Sequence, residues 1–270
     1  MKYIKEKFEC NRGTLRIRGY LLKPELYGRM PAVIVSHGFA SNTNYTKKYA
    51  KRFVRAGYVT VYFDFCGSGR GKSDGKSTDM SVLTEKEDLS AVLDKLLSLD
   101  FIDESKIILA GCSQGGLVSA LLAAERENDV DKLILYYPAL CIPDDARRGK
   151  MLGSKFDPGN VPHTFSALFI KLGAKYAIDA QMLDPLKDIC IYTKPVLICH
   201  GTADKIVNLS YAQMAAWEYP NAKLLVVKSG DHGFLFRGFK AAMHATMGFL
   251  RDDKNVNIQI HHEGYEHNHN

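Results

Sequence analysis

The sequence predicts an α/β domain: a mostly parallel central sheet with helices packed on both faces. Three observations carry this expectation. Strand-like and helix-like segments alternate through most of the 270 residues, and consecutive strands joined through helices form parallel sheets with crossovers over both faces. The strand-like runs are short and apolar, as buried strands are. A glycine-flanked serine stands where one of those strands passes into a helix. The length suits one large α/β domain or two small ones.

The elements follow in order. Lys2–Glu9 and Thr14–Leu22 alternate polar and apolar residues around Asn11-Arg12-Gly13, which reads as a hairpin. PAVIVSHG (31–38) is a short strand ending in a turn, and YTKKYAKRFVRAG (45–57) has helical spacing and stops at Gly57. YVTVYFDF (58–65) is a strand that runs into a Gly-rich loop. The 83–99 segment sets Leu89, Val92, Leu93, Leu96 and Leu97 on one helix face. Strands at 106–112, 131–138, 194–201 and 222–230 then alternate with helices at 114–127, 208–218 and 236–251.

The alternation breaks between Pro138 and Lys194, a stretch with Pro143, Pro158, Pro162 and Pro185. Long irregular inserts in regular folds are often functional. The expected organisation is a core of residues 1–137 and 191–253, an insertion at 138–190 capping the C-terminal edge of the sheet, and a polar tail at 254–270. The tail carries His261, His262, His267 and His269, and a frayed end is favoured there over metal capture.

Composition narrows the partners. Hydrophobic residues make up 46%, charged residues 24%, and the formal charge is +6. Lysines and arginines are interspersed with acids, so a solvated surface is expected rather than a nucleic-acid site. The N-terminus lacks the apolar run of a signal peptide, and no stretch reaches the ~20 apolar residues of a membrane span. Six cysteines without C-x-x-C spacing suggest reduced thiols and a cytoplasmic protein, an exported one with a single bridge being the alternative. A homodimer is compatible with all of this.

Two serines compete for chemistry. Gly111-Cys112-Ser113-Gln114-Gly115 and Gly71-Lys72-Ser73-Asp74-Gly75 both fit G-x-S-x-G, which arises by chance in roughly one chain in ten of this length. Context separates them. A nucleophile elbow needs a buried strand, a sharp turn and a helix, with small flanking residues where backbone comes close. Ser113 has all of these; Ser73 lies in a turn-rich loop, tied there with Asp64. The same loop comes near a phosphate-binding P-loop, but Cys66 replaces the first glycine and no helix follows.

A serine hydroxyl needs a base, and the base an orienting acid. Past Ser113, one strand ends in CHGTADKIV and the next in KSGDHGF. Asp204 and His232 therefore fall in loops at the strand edge where Ser113 stands, in the order serine, acid, histidine. Asp231, His200, His163 and His244 are the weaker competitors. Two N–H groups must hold the negative oxygen of an acyl-transfer intermediate. Gln114, opening the helix, supplies one, and Phe39 in SHGF the other. His37 is read as a structural turn residue.

With these residues in hand the chain resembles the α/β-hydrolase superfamily, and within it the bacterial feruloyl (cinnamoyl) esterases. The resemblance rests on SHGFASN, DFCGSGRGKSDG, GCSQGG, HGTADKIV, GDHGF and an insertion of the form PALCIPDDARRGK…KFDPGNVP. It implies the α/β-hydrolase fold with a small cap, in which a cap aspartate and tyrosine, here Asp145 and Tyr176, meet the hydroxyl on the substrate's aromatic ring. Cys112 stands where that family commonly has histidine, and Leu152 where some relatives carry a polar residue. The expected activity is that of a serine carboxylesterase without metal or cofactor, acting on small esters, hydroxycinnamates among them. Lipase-like or aminopeptidase-like specificity, and a non-catalytic receptor on the same scaffold, are the alternatives.

Overall fold

The structure is a computed structural model that describes residues 1–68, 71–235 and 237–252. The first strands, β1 (Tyr3–Arg12) and β2 (Leu15–Pro24), form the expected hairpin. Then come β3 (Met30–Ser36), α1 (Thr43–Arg55), β4 (Val59–Asp64), α2 (Val82–Leu97), β5 (Ile102–Cys112), α3 (Gln114–Glu125) and β6 (Lys132–Tyr136). The 138–190 stretch holds α4 (Ile142–Arg147), two small hairpins and two further helices. The hairpins are β7 (Lys150–Met151) with β8 (Ser154–Lys155), and β9 (Thr164–Ala167) with β10 (Ile170–Gly173); the helices are α5 (Ala174–Gln181) and α6 (Pro185–Ile189). The chain closes with β11 (Val196–Gly201), α7 (Leu209–Glu218), β12 (Ala222–Val227) and α8 (Phe239–Leu250).

Eight strands form one sheet in the order β1-β2-β4-β3-β5-β6-β11-β12. From β4 to β12 every neighbouring pair is parallel, and β2 runs antiparallel to both its neighbours. The mostly parallel α/β architecture is thus as the sequence predicts. Boundaries shift by a few residues. The strand expected from 106 starts at Ile102, which pairs with Met30 across a register shift in β3. The last helix starts at Phe239 rather than 236, because Asp231 accepts the Leu235 and Arg237 N–H groups and holds the preceding segment in turns.

Side-chain alternation along the strands makes two cores, one on each face. Ala32, Ile34, Val61, Phe63, Leu109 and Leu133 belong to one, under α2, α3, α7 and much of the insertion. Val33, Val35, Ile108, Cys112, Ile134 and Tyr136 belong to the other, under α1 and α8. The helices match these positions. α1 buries Tyr49, Ala50, Phe53 and Val54 on one stripe and opens at Asn42, whose side chain accepts the Asn44 N–H. In α3, Gln114 through Ala123 are all buried. That helix is apolar all round because it runs between the sheet, α2 and α6.

All six cysteines are free thiols, four of them buried. Among the described residues no helix is long and apolar enough to cross a membrane. The His-rich tail, with His261, His262, His267 and His269, lies outside the described residues.

Candidate active site

Ser113 sits between the end of β5 and the start of α3 with φ 53° and ψ −120°. A non-glycine residue held there costs on the order of 1–3 kcal/mol and persists only where its surroundings over-determine it. Here they do. The Ser113 N–H donates to the Tyr136 carbonyl at 2.9 Å, and its own carbonyl accepts from Gly116, Leu117 and Ala139. Ser113 occupies the N-cap position of α3, yet its hydroxyl makes no capping bond. The oxygen is left facing the loops beyond the strand edge. Gly115 makes the turn possible, since a Cβ there would collide with the His37 carbonyl oxygen.

The structure brings the other two expected residues to that oxygen. His232 Nε2 lies 3.1 Å from Ser113 Oγ, and His232 Nδ1 lies 2.8 Å from Asp204 Oδ2. Asp204 follows β11 and is held by its own loop: Oδ1 accepts the N–H groups of Ile206 and Val207, both at 2.9 Å. A second imidazole also reaches it, with His200 Nε2 3.3 Å from Oδ2. Burial opposes ionisation of Asp204, but the hydrogen bonds from His200, His232 and Val207 outweigh it and hold the carboxyl well below its usual range. An ionised Asp204 fixes the proton of His232 on Nδ1, leaving Nε2 free to accept from Ser113. The imidazole is further seated against the ring of Tyr137, edge-on with centroids 4.9 Å apart. Tyr45 donates to the Gly233 carbonyl in the same loop.

The competing groups have other partners or lie elsewhere. Asp231 accepts backbone N–H groups of its own loop. His163 and His244 are exposed. Ser73 donates to the Asp64 carbonyl and accepts the Arg18 N–H at 2.8 Å, while Asp64 accepts the N–H groups of Thr43 and Lys72. That loop is a cross-linked turn, and among its described residues no helix begins until Val82.

Phe39 and Gln114 line the same small cavity as Ser113. Neither backbone N–H has an acceptor among the described residues, so both are available to an oxygen placed there. The turn that carries Phe39 is pinned by His37, whose Nε2 accepts the Phe65 N–H at 3.1 Å, so that Nδ1 carries the proton it shares with the Gly38 carbonyl at 2.8 Å. His37 is a turn residue, as read from the sequence.

The cavity measures about 40 Å³ and is walled by Ala139, Cys141, Ile142, Asp145, Met151 and Leu152 of the insertion. It shares Cys141, Asp145 and Ile206 with a wider cleft of about 380 Å³ that adds Arg148, Asn208, Ser210 and Tyr211. Asp145 is half-buried between the two and pairs with Arg148 at 3.1 Å. Burial pushes its carboxyl above the usual range, against the Cys141 hydrogen bond and the Arg148 charge.

Tyr176 differs from the expectation. It is fully buried, does not line the cavity, and its hydroxyl donates to Gln114 Oε1. A hydroxyl so engaged, with no exposed surface, is not placed to meet a substrate. The sequence reading also passed over Glu85, fully buried and bonded to Gln114 Nε2 at 2.7 Å. A signal was present: Glu85 stands four residues before Leu89, on the apolar stripe of α2.

A parallel sheet with one reversed strand and a serine at a strained strand-to-helix turn defines an α/β-hydrolase. The model of the family described as "Serine aminopeptidase, S33" matches residues 29–172, and the chain belongs to that family. Among curated proteins it is similar to the mitochondrial palmitoyl-protein thioesterase ABHD10 of Mus musculus, 27% identical over 229 residues, covering 77% of this chain and 70% of that one. Among solved structures it is similar to Est1E from Butyrivibrio proteoclasticus with ferulic acid bound. There the TM-score is 0.86 at 31% identity, covering 91% of this chain and 98% of that one. Mouse ABHD10 superposes with a TM-score of 0.70 at 22% identity, covering 92% and 97% of the two chains, and shares the fold.

Proposed function

We propose that this hydrolase is a serine carboxylesterase whose preferred acyl group is a hydroxycinnamate of the feruloyl type. The observation that carries the chemistry is the unbroken line from Ser113 Oγ through His232 to Asp204. In the reaction that follows from it, Ser113 Oγ attacks the ester carbonyl carbon while its proton passes to His232 Nε2. The carbonyl oxygen takes the negative charge and is held by the Phe39 and Gln114 N–H groups. Collapse breaks the bond to the leaving alcohol, which receives the proton from His232. Water then loses a proton to His232, attacks the acyl group and releases the acid as Ser113 recovers its hydrogen. Asp204 keeps the imidazole in the right tautomer and stabilises its cation. The chemistry uses only side chains, backbone and water.

The two joined cavities support the substrate class. Phe39, Ile142, Met151, Leu152 and Val207 offer an apolar wall beside Ser113, while Asp145, Arg148, Asn208, Ser210 and Tyr211 make the outer cleft polar. A flat acyl group with hydroxyls at its far end leaves these polar groups satisfied. A long alkyl chain would desolvate them without a partner. The insertion at 138–190 acts in this reading as the cap. Likeness to Est1E, solved with ferulic acid, points the same way. A thioesterase reading draws on the ABHD10 similarity, and the same acyl transfer would serve it.

The test is a panel of methyl ferulate, short and long p-nitrophenyl esters and S-palmitoyl thioesters, run with the wild type and Ser113→Ala. Preference for the ferulate, and loss of all turnover in Ser113→Ala, are expected. Turnover retained by Ser113→Ala would reject the nucleophile, and a preference for palmitoyl groups would reject the substrate class.

A further inference from the structure

The side chain of Gln114 is spanned on both ends by groups from other elements, and all three are buried. Tyr176 of α5 donates to its Oε1, its Nε2 donates to Glu85 of α2 at 2.7 Å, and the relative exposures of Glu85, Gln114 and Tyr176 are 1%, 0% and 0%. Tyr176 also packs its ring edge-on against Phe39, with centroids 5.8 Å apart. One side chain of the insertion therefore touches both residues whose backbone N–H groups face the reacting oxygen. We infer that Tyr176 and Glu85 are positioning residues that hold the oxyanion-binding amides of Phe39 and Gln114 in place. This rests on the serine-hydrolase reading of the site.

Packing by itself does not call for such a row. A buried carboxyl, amide and phenol must all find partners, and apolar side chains of the same size would fill the space between α2, α3 and α5 at lower cost. A polar row instead fixes direction, since each bond constrains the next group along. The fixed end is α2, whose Ser81 hydroxyl donates to Asp179 of α5 at 2.5 Å. The dependent end is the first turn of α3, where Ser113 and the Gln114 N–H are. Donors aimed beforehand stabilise a developing charge without reorganising, and a displacement of about 1 Å can cost about 100-fold in rate.

The ionisation of Glu85 belongs to the same picture. Burial pushes its carboxyl up to about 8, Asp88 adds to this, and the Gln114 bond opposes it. The other groups around it are Arg12 and Cys66, both held on Asp88, Tyr176 from α5, and Cys141 and Asp145 beyond Tyr176. Well below pH 8 Glu85 is mostly uncharged, and near pH 8 about half of it is carboxylate. Above that pH, a carboxylate one residue removed from the oxyanion site disfavours the transition state.

The experiment compares wild type, Tyr176→Phe, Glu85→Gln and Glu85→Leu by steady-state kinetics from pH 6 to 9.5, with thermal unfolding as the folding check. In Tyr176→Phe, kcat should fall about 10-fold with KM within about twofold, and affinity for a trifluoromethyl ketone should fall in parallel, because only the tetrahedral adduct uses the displaced amides. Glu85→Leu should behave likewise. Glu85→Gln keeps an acceptor for Gln114, so it should keep kcat at pH 7 and lose the decline above pH 8. Wild-type kcat in Tyr176→Phe, or a raised KM with kcat intact, would overturn the inference. If the wild type hydrolyses no ester, the esterase reading fails separately. The inference is then read from the rate at which a fluorophosphonate modifies Ser113, with equal rates in wild type and Tyr176→Phe, or no modification at all, counting against it.

Discussion

A Cβ added to Gly38 would lie 2.9 Å from the Cβ of Ser113 and 3.2 Å from the Cys112 carbonyl oxygen. The turn after β3 and the turn after β5 thus touch with no atom to spare. They belong to neighbouring strands, with Ser36 opposite Gly111 in the ladder. The contact sets the distance between Ser113 and the Phe39 amide.

Gly38→Ala should therefore push the two turns apart. We expect kcat to fall about 100-fold or more with a smaller change in KM, because the loss of an oxyanion donor costs on that order. Hydrolysis of p-nitrophenyl acetate and the melting temperature, measured together, separate this from unfolding.

Asp204→Asn should lower kcat/KM about 10⁴-fold, by analogy with removal of the orienting acid in other triads. The amide can donate to His232 Nδ1 and stabilise the tautomer whose Nε2 carries the proton. Activity within about 10-fold of wild type would mean that Asp204 is not the acid.

His37 gives a pH dependence of stability. It is fully buried, and burial holds its basicity below the ordinary value of 6.5, against the Gly38 carbonyl and Asp64. The folded form thus binds a proton less readily than the unfolded chain, and stability falls as pH drops below about 6.5, by up to about 1.4 kcal/mol per pH unit until the folded group titrates. Urea unfolding at pH 7.5 and 5.5 should show a smaller difference in His37→Gln than in wild type.

Cys112 should be silent toward alkylating reagents. It is buried beside Tyr49 and Tyr137 on the α1 side of the sheet, and burial pushes its thiol up to about 12. Iodoacetamide at pH 8 should leave it unmodified in the native protein and modify it in urea, as read by peptide mass spectrometry.

Much of the candidate site was legible in the sequence because Ser113, Asp204 and His232 each end or follow a strand. Gly111 and Gly115 mark a close backbone approach that a Cβ would not tolerate, and Gly116 a tight one, and Asp204 and His232 follow strand-like runs of the same alternating pattern. The sequence offered His200 only as a weaker competitor, not as a buried neighbour of Asp204. That contact depends on the loop after β11 folding back, with the Val207 carbonyl meeting His200 Nε2 at 3.0 Å. Tyr176 was given a role at the substrate, because a pattern of residue types places a side chain in a segment without saying which way it faces.

The alternation of strands and helices and the chain order of serine, acid and histidine came from the sequence by itself, since the first follows from local periodicity and the second is read directly along the chain. Only the tertiary structure decided what fills the space behind Gln114. Glu85, Gln114 and Tyr176 come from three helices, and their hydrogen bonds exist only once burial removes water as the competing partner.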